Sequence, residues 1–334
     1  MKKGLSVFLA LAMTLLAGCA GAGSAPSEAP STASDVQPAP AGPDLKILYE
    51  QDDSMINTYS LLAVNPQAPF ADADGKAVDG VDINAEGAQA LINWILSDAG
   101  KQAVSDYGVA DYGEHLFYWK EDAPMSAGPG PEAREDNRLI RLSTTTSVND
   151  SGLLGYLLPQ FEQETGYTVE VTSAGTGKAI ANAKMGNADL LLVHSKSQEE
   201  AFVADGFSYV LDGFETERLS FMYNFFVLCG PSADPAGAAD CASVKDAFAA
   251  IAGGEYDFVS RGDASGTHTK EVSLWPAELG ITTESASVAD YAGWYHYSNA
   301  GMGVCLTMAA EQGAYILSDK ATFLTFVANG AVAQ

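Results

Sequence analysis

Three short stretches of this chain could hold a small anion: Thr144-Thr145-Thr146-Ser147, Gly175-Thr176-Gly177-Lys178, and Ser260 through Arg261-Gly262-Asp263-Ala264-Ser265-Gly266-Thr267 to His268. They offer hydroxyls, glycine-flanked backbone N–H groups and one guanidinium, Arg261. All of these donate hydrogen bonds. A tetrahedral dianion inside a cleft has lost water on every side. It needs donors from several directions, and glycine lets the backbone approach closely. About seven donors at ~1.5–3 kcal/mol each give a gross gain of ~10–20 kcal/mol. After ordering costs, that leaves room for micromolar to nanomolar affinity.

Each stretch follows an apolar run and opens a helical pattern, where free N–H groups and the positive end of a helix dipole face outward. Taken singly, each reads as a helix cap or a tight turn. Together, at three strand ends, they point to one cage beyond the carboxyl edge of a sheet. The second stretch is no P-loop, because Thr172 stands where the first Gly belongs and Ala179 follows Lys178. Lys178 reads as a surface residue and His268 as a helix-start residue. Asp263 either braces Arg261 or accepts a proton from a monoprotonated anion. Trp294, Tyr295 and Tyr297 either rim a cleft or pack in the core.

The elements that must position these loops alternate strand and helix. Leu139 to Ser143 leads into the Thr-rich loop and a helix from Ser151 to Glu164. Tyr167 to Thr172 leads into the Gly-Thr-Gly loop and a helix reaching Met185. Ala188 to Val193 is a buried strand, and Ser220 to Cys229 is a long apolar one. Asp257 to Ser260 runs into the arginine loop, and the next helix carries Val272 to Leu279. This is α/β logic over a mostly parallel sheet. Ahead of it, Leu45 to Tyr49 and Tyr59 to Val64 read as strands, Ala71 to Asp82 as a solvated loop, and Ala85 to Leu96 as a helix. Lys120 to Asn137, with Pro124, Pro129, Pro131, Gly128 and Gly130, reads as a linker.

The chain has 334 residues, 47% hydrophobic and 18% charged, which suits a globular protein of two lobes. Lys2 and Lys3, an apolar run to Leu16 and then Leu16-Ala17-Gly18-Cys19 read as residues 1–18 of a lipoprotein signal peptide. Cys19 is then the acylated first residue of the mature protein. Residues 19–43, mostly Ala, Ser, Pro and Gly, read as a flexible tether. The expected location is extracytoplasmic, attached to the cell membrane. A net charge of −26 argues against a nucleic-acid partner, which needs Lys/Arg patches, and means an anion must be captured by local geometry against the overall field. Cys229 and Cys241 are spaced for a possible disulfide, and Cys305 reads as a buried apolar residue. No CxxC or HExxH pattern supports a metal site, and no cofactor is expected.

The motifs resemble those of the tungstate-binding proteins of ABC importers (TupA type), a branch of the type II periplasmic binding proteins. The similar text is Thr144-Thr145-Thr146-Ser147 with Asp150-Ser151-Gly152-Leu153-Leu154, Gly175-Thr176-Gly177, Asp189 to His194, Met222-Tyr223-Asn224, Ser260 to His268, Gly301-Met302-Gly303 and Gly313-Ala314-Tyr315. The resemblance spans Leu45 to Phe326. It implies a two-lobed α/β type II periplasmic-binding-protein fold with a central cleft and two hinge crossover strands. It also implies tungstate or molybdate as ligand, an ABC-transporter permease as partner, a monomer, and no enzymatic activity. Carried over by motif, the implied ligand contacts are Thr145, Thr146, Ser147, Thr176, Gly177, Arg261, Ser265, Gly266 and Thr267.

One departure from the family's pattern is large. The block Leu45 to Phe117 comes last in the family and first here, so the chain resembles a circular permutation, with 120–137 joining the old termini. The expected division is 44–56 as a strand of lobe II, 57–219 as lobe I, and 220–334 as hinge strand and lobe II. Ser220 to Cys229 and Asn57 to Val64 are the expected hinge strands. Leu45 to Tyr49 is expected in the same sheet as Asp257 to Ser260. Three other readings stay open: a phosphate or sulfate receptor, an enzyme acting on a phosphoryl or oxyanion substrate through Asp263, His268 or Glu271, and a sensory or structural lipoprotein that keeps the fold without transport.

Overall fold

The computed structural model describes residues 44–50 and 52–332, so the signal peptide 1–18, Cys19 and the tether expected from the sequence lie outside the described residues. The strands are β1 (Leu45–Tyr49), β2 (Ile56–Ala63), β3 (Tyr118–Trp119), β4 (Leu139–Thr145), β5 (Thr168–Ala174), β6 (Leu190–Val193), β7 (Leu219–Pro231), β8 (Phe258–Ser260), β9 (Tyr295–Tyr297) and β10 (Tyr315–Asp319). Helices α1 (Ala85–Ile95), α2 (Asp98–Asp106) and α3 (Val109–Tyr112) lie between β2 and β3. Next come α4 (Thr146–Asp150), α5 (Leu153–Thr165), α6 (Thr176–Lys184) and α7 (Lys196–Ala204). The last are α8 (Val244–Gly253), α9 (Gly266–Val272), α10 (Met302–Gln312) and α11 (Lys320–Ala328).

The strands run in the order β5-β4-β6-β2-β7-β10-β8-β9, with β1 and β3 also paired to β7. β7 is the shared member of two sheets. Its first residues pair with β2, from Ile56 opposite Phe225 to Leu61 opposite Leu219. Its last residues pair with β1, from Leu45 opposite Pro231 to Tyr49 opposite Leu228. β10 also pairs with this later part of β7, and β8 lies parallel to β10, so Leu45–Tyr49 shares a sheet with Phe258–Ser260. β2 pairs with β6 and the first part of β7 only, so the second crossing between the sheets falls between Tyr49 and Ile56, just before the expected hinge strand. A third crossing joins β10 to α11: Thr325 of α11 donates its hydroxyl to the Ser151 carbonyl on the first half at 3.1 Å, and Thr322 Oγ1, bonded to Asp319, lies 3.2 Å from the Ser147 carbonyl.

Each sheet is buried on both faces. Leu190 and Leu192 of β6 join one apolar cluster, and Leu191 and Val193 join the other. This is why β6 is apolar at every position rather than alternating. β7 behaves likewise in the second half: Phe226 and Leu228 face one core, Val227 and Cys229 the opposite one. That alternation corrects the disulfide expectation. Cys241 packs on the Phe226 side, so the two sulfurs lie on opposite faces of the sheet. Cys229, Cys241 and Cys305 are free thiols.

Two further expectations differ. The helix after the arginine loop ends at Val272, short of Leu279, because Pro276 disfavours helical geometry in the residue before it. The 120–137 segment has no helix or long strand, yet it is clamped onto α1. A Cβ on Gly130 would lie 2.4 Å from Ala90 Cα, and Ser126 N–H donates to the Leu96 carbonyl at 2.8 Å.

Candidate functional site

β4, β5 and β6 run parallel in the first sheet, as do β8, β9 and β10 in the second. Their carboxyl ends carry Thr145–Ser147, Thr176, His194 and Arg261–Thr267. The two sets meet. Arg261 is 1% exposed, and its Nη2 donates to Thr146 Oγ1 across the cleft at 3.0 Å and to Asp263 Oδ2 at 2.5 Å. Gln198 Nε2 donates to the Ala264 carbonyl at 3.2 Å. A Cβ on Gly175 would sit 3.0 Å from Asp263 Oδ2, and one on Gly266 would sit 2.7 Å from His194 Nδ1. The two halves are therefore closed on each other.

Three buried donors at this junction have no hydrogen-bond partner: Arg261 Nη1, Thr176 Oγ1 and Thr267 Oγ1. Buried polar groups are normally satisfied, and an orphan costs ~1–3 kcal/mol. His268 adds a fourth. Its Nδ1 accepts from Ala264 N–H at 3.1 Å, so the proton of the neutral ring is on Nε2, which is also unpartnered. Burial lowers the pKa of His268, with Arg261 acting the same way against Asp263. Helix α6 starts at Thr176 after Gly175, and α10 starts after Gly301. Neither has a side-chain cap, so their first N–H groups are uncommitted.

Asp263 has both oxygens engaged, Oδ2 by Arg261 and Oδ1 by Ser265 N–H at 3.1 Å. Of its two sequence readings, the brace is the one that the geometry supports. Ser147 and Thr145 meet at His194, whose Nε2 lies 3.0 Å from Ser147 Oγ and 3.1 Å from Thr145 Oγ1. His194 Nδ1 lies 2.9 Å from Asn57 Oδ1, while Asn57 Nδ2 donates to Tyr59 and Asn224. Asn57 Oδ1 thus accepts, Nδ1 carries the proton, and Nε2 accepts one hydroxyl. The two hydroxyls also lie 3.2 Å from each other, so one donates to Nε2 and the other has its neighbour or a ligand as acceptor. Burial pushes the His194 pKa down to about 3, assisted by Arg261 and opposed by Asp263, so the ring is neutral.

The expected residues are not all equivalent. Thr145 bonds to Ser147 and Thr146 to Arg261, while Thr176 and Thr267 are buried next to the Gly175–Asp263 and Gly266–His194 contacts. Ser265 Oγ caps α9, accepting from His268 N–H at 3.3 Å, while its backbone N–H is committed to Asp263. Gly266 packs against His194, and Gly177, like Lys178, is exposed. Trp294 and Tyr295 pack in the core, and Tyr297 lies partly buried against Gly262. Sequence reasoning missed His194, Asn57 and the Ala300–Gly301 turn, where Arg261 Nε donates to the Ala300 carbonyl at 3.4 Å. His194 directly follows the apolar run of β6. That strand end obeys the same logic as the other three loops, and was the available signal. Among the described residues, no group of His, Cys, Asp and Glu could hold a metal ion, and no helix is long and apolar enough to cross a membrane.

An anion cage closed between two α/β halves is the arrangement of a solute-binding protein. A family model described as a PBP superfamily domain matches residues 130–334, more than half of the chain, and the chain belongs to that superfamily. Its similarity to TupA-type tungstate-binding proteins is direct. The tungstate-binding protein TupA of Peptoclostridium acidaminophilum is 46% identical over 192 residues, 57% of this chain and 62% of that protein. A putative ABC transporter anion-binding protein of Haloferax volcanii is 43% identical over 185 residues, 55% of this chain and 50% of that one. The chain thus spans less than two thirds of the length of these relatives. The crystal structure of a tungstate ABC transporter from Geobacter sulfurreducens is 40% identical and covers 59% of this chain and 77% of its own, with a TM-score of 0.48.

Proposed function

We propose that this protein captures tungstate, or the near-identical molybdate, between its two halves and delivers it to an ABC importer. One observation carries the reading: Arg261 Nη1, Thr176 Oγ1 and Thr267 Oγ1 are buried donors with nothing to bond, on loops of the two halves that touch through Arg261–Thr146 and Gly175–Asp263. A tetrahedral anion, with acceptor oxygens on every side, satisfies donors that approach from both halves. The ligand contacts are Thr145 or Ser147, Thr146, Thr176, Arg261 and Thr267, with Gly177 and Gly266 contributing backbone N–H groups and Ser265 its hydroxyl proton. The similarity to proteins named for tungstate and anion binding supports this choice. No nucleophile–base pair argues for an enzyme. His194, held neutral, and Ser147 resemble one, but both sit within the closed hydroxyl network.

In this reading Cys19 carries a lipid that holds the protein outside the membrane, and the chain is a permuted member of its family. The match of the family model from residue 130, inside the linker, supports the permutation. So does the way the preceding block feeds both sheets, β1 into one and β2 into the other. Lobe I then comprises 57–219 and lobe II the strand within 44–56 and 220–334. A chain restarted at Arg138, with its present ends joined near Asp44, is expected to fold and bind.

The deciding experiment is calorimetric titration with tungstate, molybdate, sulfate and phosphate. Tungstate or molybdate is expected to bind stoichiometrically, and Arg261→Ala to weaken that binding at least ~100-fold. No heat from any of the four, or an unaltered Arg261→Ala, refutes the proposal. Acyl labelling that survives Cys19→Ala refutes the anchor.

A further inference from the structure

A second cavity of about 690 Å³ adjoins the cage. His194 and Gly266 belong to its lining, whereas Thr146, Thr176, Arg261 and Thr267 do not, so the Gly266–His194 contact separates the two spaces. Four of the chain's 17 lysines and arginines line it: Lys120, Lys196 and Arg218 from the first half and Lys270 from the second. Glu200 is the carboxylate among the lining residues. In a chain of net charge −26 this is a local reversal of sign. The four cations differ in how far they are neutralised. Arg218 is bound to buried Glu199 at 2.5 Å, and Lys120 to Asp122 at 2.8 Å. Lys196, largely exposed, stands 3.6 Å from Glu200. Lys270 donates to a neutral carbonyl, that of Ser54, at 2.7 Å, with Asp52 and Lys245 as its more distant charged neighbours. Hydroxyls, Ser197 and Thr269 among them, complete a polar wall.

We propose that this cavity is the loading vestibule of the cage. An oxyanion dianion is gathered by Lys196 and Lys270 and passes to Arg261 when Gly266 parts from His194. The inference rests on the oxyanion-binding reading and adds the route and the steering charges. Clefts lined by one sign of charge raise the local concentration of the opposite ion and the association rate, and charges at the rim act on association more than on dissociation. The vestibule thereby answers the difficulty that the whole-molecule field repels the ligand.

The test is stopped-flow binding of tungstate to the full protein at several salt concentrations. Lys196→Gln/Lys270→Gln is expected to slow association about three- to tenfold at low ionic strength. The difference should vanish near ~1 M salt, where the screening length is about 3 Å. Lys101→Gln, on exposed α2 outside the cavity, is expected to match the wild type. Lys196→Glu, at an exposed position that cannot unfold the protein, is expected to slow association as well. If both Lys196 and Lys270 variants keep the association rate and salt slope of Lys101→Gln while the wild type binds, the vestibule is refuted and the cage stands. A wild type that takes up neither tungstate nor molybdate refutes both.

Discussion

Gly266 is where the closed state of this protein is most exposed to a single added carbon. Its φ is not in the left-handed region, and it opens α9, so alanine suits the backbone there. A Cβ at this position would nevertheless lie 2.7 Å from His194 Nδ1, 2.9 Å from its Cε1 and 2.9 Å from its carbonyl oxygen. Ordinary contacts lie near ~3.5 Å, so Gly266→Ala must push the two partners about 0.6–0.8 Å apart. His194 cannot swing aside, because its two nitrogens are held by Asn57 on one side and Ser147 and Thr145 on the other. The halves must part instead. Overpacking of this kind costs about 1–3 kcal/mol. Since only the closed form bears it, tungstate affinity should fall roughly 5- to 150-fold while ligand-free melting changes little. Calorimetry gives the affinity, and small-angle scattering of the saturated protein reports whether it stays expanded. Gly155→Ala is the control, because nothing lies within 4 Å of its Cβ. It should bind normally. Wild-type affinity in Gly266→Ala would show that this contact is absent from the bound state, and the argument for closure there would fail.

Thr176→Val removes an unpartnered buried hydroxyl at nearly constant shape. The ligand-free protein should melt at the same temperature or higher, while affinity falls ~10- to 100-fold, the value of one hydrogen bond to a charge. Loss of ligand-free stability with normal binding would make the hydroxyl structural. Glu271 is fully buried, and burial pushes its pKa up from 4.5 to about 7, against the hydrogen bonds from Tyr295 and Trp275 that favour the charged form. The folded state therefore keeps a proton that the unfolded chain gives up. The resulting stability is full below the ordinary carboxyl range and drains as pH rises to 7, on the order of 3 kcal/mol. Thermal melts from pH 4.5 to 8 should show a steeper decline in wild type than in Glu271→Gln. His194, with its lowered pKa, contributes the opposite slope to both proteins and drops out of the difference. Parallel curves would remove Glu271 as the cause. Alkylation of the denatured, unreduced protein should modify Cys229, Cys241 and Cys305; protection of the first two would overturn their assignment to opposite sheet faces.

Much of the site was legible because it lies at strand ends. An apolar run followed by Ser, Thr and Gly marks a place where the backbone leaves a sheet with donors unspent, and Thr146, Thr176, Arg261 and Thr267 announce themselves that way. What was not legible is how each polar atom is already used. Ser265 looks like a ligand donor and caps its own helix; Asp263 allowed two roles until Arg261 and Ser265 took both its oxygens. His194 and Asn57 stand 137 residues apart, and only pairing of β2 with β6 sets one beside the other.

Sequence alone determined the alternation of strand and helix, the apolar strands, the acidity of the chain, and the kinds of donor available. These follow from local periodicity and residue chemistry, which need no knowledge of distant neighbours. Tertiary structure alone decided that the loops of the two halves meet, which donors are left without partners, that 120–137 is clamped rather than loose, and that Cys229 and Cys241 are kept apart. Those depend on register and on which face of a sheet a residue occupies. A shift of one position in β7 would exchange its two faces, and the composition of the chain would be unchanged.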